Sequence, residues 1–346
     1  MKLGIFGSFD DPQSQALTET LNQMGVDVFL VDSQGLNEGV DAAFDGKRFL
    51  YKGEPLDEIK CWYLRHIMSP IPPGFELGDK YYLYSDWFVD YMQRKERFGF
   101  QLSWLLALSI QGIPVINPPE HGGVVQLKPF QLQMANLAGL KIPKTLITNN
   151  PQRVRSFLQE VDEVIYKPLL GGAICQALDE EALSRLETIV ASPVIFQERA
   201  HGRSVRLTII GQEVVSAVAI PSQNLDYRSD PVYTAGEQHY ETVDIPPPLI
   251  DGCLKLMKHC GLLFSGIDFI LSDDGSFTFL EANSSPIYLD IEEKTKNPIT
   301  LKLAELMLKL ANEPEWYRET VKEALRHQNF LRYALPFDPS RTTHDS

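Results

Sequence analysis

Two carboxylates and an amide close to each other near the end of the chain are the residues most suited to chemistry. In GIDFILSDDGSFTFLEANSSP, Asp268 lies in one apolar run, and Glu281 and Asn283 lie two residues apart in the next. Both runs read as strands, with SDDG (272–275) turning the chain between them. Successive side chains on a strand point to opposite faces, so Glu281 and Asn283 share a face and the turn can lay Asp268 beside them. Three oxygen-bearing side chains on one face suit a hard cation such as magnesium, which completes its shell with water and nucleotide phosphates. Two acids alone would read as a solvated polar stripe; these sit in strands that are otherwise strongly apolar.

A second group is cationic. Lys128 opens a helical stretch after the breaker cluster INPPEHGG (116–123), and Lys167 ends the strand EVIYK just before Pro168 and the Gly171-Gly172 turn. A lysine between a strand and a glycine loop can set an ammonium and backbone N–H groups against phosphate oxygens. Either lysine taken alone reads as a solvated surface charge. A third segment, PVIFQERAHGRSVRLTIIGQEVV, has a strand ending in Gln197-Glu198 that runs through a short linker into a strand carrying Arg206.

The elements that must position these groups fall into two kinds. Up to residue 117, strands at 2–6, 28–31, 61–64 and 113–117 alternate with helices near 14–24 and 80–111, a pattern that argues for a parallel α/β sheet. Beyond it come a helix at 127–138, a strand at 145–148, and a helix start at 149–152 with Pro151 in its first position. Strands follow at 163–167, AICQAL and 193–198, with a helix near 179–189 among them. A hairpin turns at GQ between 204–210 and 213–220, and a polar loop spans 221–239. A helix at 248–259, the two closing strands at 265–271 and 277–283, a helix at 299–310, and an amphipathic helix and tail from 313 complete the chain.

Bulk properties narrow the partners. The 346 residues carry 32 Lys+Arg against 46 Asp+Glu, a net charge of −14, which does not attract nucleic acid or anionic lipid. No apolar run approaches the ~18 residues that read as a membrane span. The N-terminus MKLGIFGSFDD does not read as a signal peptide. Cys61, Cys175, Cys253 and Cys260 form no CxxC pair and read as reduced thiols, so a cytoplasmic protein is expected. Gly4 and Gly7 lack the third glycine of a dinucleotide fingerprint.

Taken in order, QLKPFQLQMANLAGLKIPKTLITNNPQRVRSFL, VIYKPLLGG, VIFQERAHGRSVRLTIIGQEVVSAV, LDYRSD and GIDFILSDDGSFTFLEANSSP resemble the ATP-grasp enzymes. Among these the chain is most similar to the RimK-type ligases and to the ATP-grasp maturases of ribosomal peptides. The resemblance implies a mixed α/β and α+β protein: an N-terminal parallel α/β domain (1–117), a two-lobed ATP-grasp fold (118–312, lobes about 118–198 and 199–312), and a C-terminal helix and tail (313–346). It implies that adenine lies between the lobes at a hinge of Gln197, Glu198 and Arg199. Lys128, Lys167, Gly171 and Gly172 would hold the ATP phosphates, Arg206 and Arg228 would face the phosphates or an acyl-phosphate, and Asp268, Glu281 and Asn283 would hold magnesium or manganese, with Glu281 bridging two ions. Ser204 stands where RimK-type enzymes usually carry an acid. SQNLDYRSD looks like the maturases, whereas NSSP looks like the RimK-type ligases.

The activity implied is ATP-dependent ligation. A carboxylate becomes an acyl-phosphate and is coupled to an amine or hydroxyl, with release of ADP and phosphate. A kinase that stops after phosphoryl transfer and a non-catalytic ATP-binding module are the alternatives. The substrate expected is a small molecule, an amino acid or a peptide, and a homo-oligomer is left open. Arg65 ends the strand CWYL, and ligands of open parallel sheets gather beyond the carboxyl ends of strands. Arg65 is therefore expected to bind a substrate carboxylate or phosphate oxygens, with Arg228 closing over the same cleft from the polar loop.

Overall fold

The structure is a computed structural model of the chain, and it describes residues 1–33, 39–67, 86–119, 127–170, 174–222 and 224–319. The chain begins with β1 (Lys2–Gly7), helix Pro12–Gln23 and β2 (Asp27–Asp32). A small antiparallel sheet, which the sequence pattern did not signal, follows as β3 (Ala42–Phe44), β4 (Phe49–Tyr51) and β5 (Glu54–Pro55). Its runs are only two or three residues long, too short for an alternation to register. β6 (Trp62–Leu64), helix Asp86–Ile110 and β7 (Val115–Ile116) complete a four-stranded parallel sheet in the order β2-β1-β6-β7.

Helices cover both faces of this sheet, which is why its first strand is apolar throughout rather than alternating. Leu3 and Ile5 pack with Leu17 and Leu21 of helix Pro12–Gln23, while Phe6 and Trp62 pack against Trp104 of helix Asp86–Ile110. Gly4 belongs to this packing: a Cβ built there would lie 2.3 Å from the Trp62 ring.

Helix Lys128–Leu137 leads into a second sheet made of β8 (Thr145–Thr148), β9 (Val164–Lys167), β10 (Gln176–Ala177) and β11 (Val194–Glu198). These strands pair antiparallel in the order β10-β9-β11-β8. Asn150 caps helix Pro151–Phe157 by accepting from Gln152 N, as the Asn-Asn-Pro start implied. The stretch expected as one helix near 179–189 divides into an α-turn at Glu180–Ser184 and a 3-10 segment at Leu186–Ala191.

The third sheet carries β12 (Arg203–Ile210), β13 (Glu213–Ile220), β14 (Glu241–Thr242), β15 (Phe264–Leu271) and β16 (Phe277–Asn283), in the order β14-β13-β12-β15-β16. One face rests on helices Lys128–Leu137 and Pro247–Cys260 through Val205, Leu207, Ile267, Phe269 and Phe279, all nearly inaccessible. The other face packs Ile210, Val218 and Phe264 against helix Ile299–Asn312, and its remaining part faces Ile165, Lys167 and Gln197 of the second sheet. The polar segment 221–239 is not a plain loop: Asp226 caps a 3-10 turn at Tyr227–Ser229, and Asp230 caps the short helix Pro231–Thr234. An unanticipated helix, Leu289–Thr295, follows the last strand. Helix Ile299–Asn312 then packs Ile299, Leu303 and Leu310 into the core that holds Leu3 and Ile5. No helix among the described residues is long and apolar enough to cross a membrane.

Candidate active site

Three strands of the third sheet bring a row of charged side chains into register. Arg206 on β12 pairs with Asp268 on β15, and Asp268 pairs with Glu281 on β16. Their neighbours Val205, Leu207, Ile267 and Phe269 point into the core, so alternation sends this row to the opposite face. A β-bulge sets the last pairing, because the register of β16 skips Leu280 between Glu281 and Phe279. In an unbroken strand Phe279 and Glu281 would share a face; the extra residue lets Phe279 fill the core while Glu281 faces the row.

The charges of the row are closely matched. Arg206 Nε donates to Asp268 Oδ1 and Arg206 Nη2 to Asp268 Oδ2, each at 2.8 Å. Arg206 Nη2 also donates to the Tyr227 hydroxyl at 2.8 Å. Burial disfavours the Arg206 charge, but attraction to Asp268 and the two hydrogen bonds more than reverse this, and its pKa is raised. Lys128, in the first turn of its helix, sits with Nζ 3.3 Å from Glu281 Oε2. Burial would push the Glu281 carboxyl upward; Lys128 and Lys167 outweigh it and hold the pKa below the ordinary value, so Glu281 is an anion. The Asn283 amide nitrogen donates to Asp268 Oδ2 at 3.3 Å and to Glu281 Oε1 at 3.4 Å.

Lys167 reaches the same place from the second sheet. It ends β9 half-buried, and burial is the main cause of its lowered pKa, helped by the positive charges of Lys128 and Arg228 and opposed by Glu281. Arg228, on the 3-10 turn, is held by Asp226: Nε donates to Oδ1 at 2.9 Å and Nη2 to Oδ2 at 2.6 Å. Asp226 Oδ2 also accepts the backbone N–H of Cys175 at 3.3 Å, which ties segment 221–239 to the connection between β9 and β10.

A cleft of about 750 Å³ opens over the row. Lys128, Lys167, Arg206, Arg228, Asp268, Glu281 and Asn283 line it, and so does the strand end Gln197-Glu198-Arg199. The buried Gln197 amide donates to Thr145 Oγ1 at 2.9 Å. The Glu198 backbone N–H is bound by Lys144 O, and the Arg199 guanidinium turns away to Glu163 Oε2 at 2.9 Å. Gly171 and Gly172 lie outside the described residues.

Arg65 stands at the end of β6, as its place in the sequence implied. It is not among the residues lining the cleft. Its Nε lies 3.3 Å from Asp11 Oδ2, and its Nη1 donates to Ser285 Oγ at 2.8 Å. These contacts link the first sheet to Ser285, which itself lines the cleft, so Arg65 stands just behind the cleft wall. Sequence reasoning missed Asp226 and Tyr227, although Asp-Tyr-Arg-Ser with its capping aspartate was visible. It also missed Gln131, whose signal was limited to lying one helical turn after Lys128.

The donor set fits a nucleotide-bound magnesium ion. Two carboxylates and an amide converge within hydrogen-bond distance, all of them hard oxygen-bearing groups. Among the described residues no cluster of three or more His, Cys, Asp or Glu could hold a metal alone. Such a site suits a cation that takes most of its shell from phosphates and water. Asn283 would have to turn its amide so that the oxygen faces the acids. Lys128, Lys167, Arg206 and Arg228 supply the positive charge that a triphosphate requires.

The model of the RimK-like ATP-grasp domain matches residues 127–307. The chain belongs to this ATP-grasp family. The tetrahydromethanopterin:alpha-L-glutamate ligase of Methanocaldococcus jannaschii is 24% identical over 323 residues, 89% of this chain and 98% of that protein. A probable alpha-L-glutamate ligase of Pasteurella multocida is 31% identical over 214 residues, 58% of this chain and 67% of that protein. Among solved structures, the ATP-grasp ligase PsnB complexed with a minimal precursor superposes with a TM-score of 0.77 at 29% identity, covering 88% of this chain and 97% of that one. The macrocyclase MdnC of Microcystis aeruginosa, bound with its precursor peptide, shares the fold at a TM-score of 0.74 and 24% identity, covering 89% and 99%. The ATP-grasp chain is an enzyme: an ATP-dependent ligase that activates a carboxylate and forms an amide or ester bond.

Proposed function

We propose that the chain uses ATP and magnesium to phosphorylate a carboxylate of a peptide or amino-acid substrate, and passes the acyl group to an amine or hydroxyl. The observation that carries this is the in-register row Arg206–Asp268–Glu281 with Lys128 and Lys167 converging on it. Condensing an acid with an amine in water is uphill, and phosphorylation supplies a good leaving group. The protein's part is then positioning and charge stabilisation. Lys128 and Lys167 would hold phosphate oxygens, and the backbone of Gln197, Glu198 and Arg199 would read the adenine edge. Asp268, Glu281 and Asn283 would hold magnesium, which when bound neutralises phosphate charge. Arg206 and Arg228 would face the transferred phosphoryl group with planar donor forks.

A peptide is favoured over a free amino acid by the likeness to PsnB, which was solved with a minimal precursor. Exposed apolar residues at the cleft rim, Leu170, Ile174 and Ile287, suit a substrate longer than a single residue. The chain would divide into bodies 1–117, 118–198 and 199–312, the last two lining the cleft. The buried free thiols Cys61, Cys253 and Cys260 suit a reducing, cytoplasmic setting. The test is to incubate the protein with ATP, magnesium and synthetic peptides bearing Asp or Glu next to Lys, Ser or Thr. ADP release matched by loss of one water from a peptide supports the reading. A stable phosphorylated peptide with no condensed product would make the enzyme a kinase instead.

A further inference from the structure

Glu281 and Asn283 stand on β16, which is an edge strand: among the described residues its one neighbour in the sheet is β15. Ala282 lies between them with its side chain in the core. An edge strand turns the N–H and C=O of alternate residues away from its neighbour, where they need another partner. At Ala282 that partner is one side chain. Gln131 Nε2 donates to Ala282 O at 2.8 Å, and Gln131 Oε1 accepts from Ala282 N at 3.0 Å. Gln131 is 3% exposed. Its amide supplies the donor and the acceptor that a further strand would have offered.

The same helix face reaches Glu281 directly. Residues three apart on a helix are neighbours, so Lys128 and Gln131 lie side by side. Lys128 meets the Glu281 carboxylate and Gln131 meets the peptide groups that follow it. The skipped residue Leu280 lies on the other side of Glu281 and removes regular ladder support there. The backbone that spaces the two side chains is therefore interrupted at one end by a bulge and held at its middle by Gln131.

We propose that Gln131 is a positioning residue for the divalent cation: its amide splints the edge strand so that the Glu281 and Asn283 oxygens keep the separation a shared ion needs. This rests on the reading that these residues hold magnesium. Groups that orient metal ligands through hydrogen bonds commonly change metal affinity by about 10–100-fold when removed. Gln131→Met keeps the length and bulk of the side chain and deletes both hydrogen bonds. Gln131→Glu keeps an acceptor for Ala282 N and sets a carboxylate against Ala282 O.

The experiment titrates Mn²⁺ into the full chain carrying ADP, with binding read by electron paramagnetic resonance, alongside ADP binding in chelator and thermal unfolding. For Gln131→Met the expected result is Mn²⁺ affinity weakened about tenfold. ADP binding in chelator should stay within twofold of wild type, and the fold should stay intact. Gln131→Glu should weaken Mn²⁺ as well, because losing the donor to Ala282 O releases the strand even while charge is added near the ion. Unchanged Mn²⁺ affinity in both variants overturns the proposal, as does tighter binding in Gln131→Glu. An equal loss of ADP binding in chelator also overturns it, since Gln131 would then support the nucleotide site or the fold in general. If wild-type protein carrying ADP binds no Mn²⁺, the metal-site reading itself fails, which is a separate outcome.

Discussion

Arg206 and Asp268 face each other across neighbouring strands and share a two-pronged ion pair, with both hydrogen bonds at 2.8 Å and side chains only 10% and 11% exposed. Removing one partner of such a pair leaves an uncompensated buried charge, a loss of about 3–5 kcal/mol, whereas replacing both by apolar groups is often neutral. Arg206→Met should therefore lower the urea-unfolding free energy by roughly that amount. Adding Asp268→Leu should restore most of the stability and none of the ligase activity. Additive losses in the double variant would show that the pair is not the unit described.

Lys167 gives a pH prediction. Burial, with Lys128 and Arg228 nearby, lowers its pKa. If phosphate binding requires the ammonium, activity holds below that pKa and falls as pH rises through it, earlier than a free lysine near ~10.4 would dictate. Lys167→Arg should push the alkaline limb upward at reduced rate. Lys167→Ala should cost roughly 10²–10³ in rate, as expected for a pre-placed electrostatic partner. An alkaline limb that stays put in Lys167→Arg would assign it to another group.

Asp226 and Arg228 should behave as one unit. The carboxylate fixes the guanidinium through two hydrogen bonds and also holds Cys175 N. Arg228→Ala should lower kcat more than it raises the KM for ATP. Asp226→Asn should lower kcat in the wild-type background and have little further effect once Arg228 is gone. A double-mutant cycle checks this, and independent, additive effects would separate the two residues.

Much of the site was legible because its chemistry interrupts strong local patterns. Acids within apolar strands announced Asp268 and Glu281, and period-two spacing placed Glu281 with Asn283. The bulge at Leu280 was invisible, because an inserted residue leaves the composition of FTFLEAN unchanged while shifting which residues face the core. The Lys128–Glu281 contact and the Gln131 bridge to Ala282 join residues far apart in sequence, and no local pattern encodes them. Arg65 was read correctly as standing at a strand end. Its partners Asp11 and Ser285 come from distant segments, so no local pattern encodes them. Helix Leu289–Thr295 escaped notice because it is short and begins without a side-chain cap.

On the proposed reading, the row on the third sheet binds a magnesium nucleotide through Glu281. The direct measurement is calorimetric binding of a non-hydrolysable ATP analogue to wild type and to Glu281→Ala, each with magnesium and with chelator. Wild type should bind much more tightly with magnesium, and Glu281→Ala should bind equally with and without it while unfolding near the wild-type temperature. Magnesium enhancement that survives intact in Glu281→Ala would contradict the assignment.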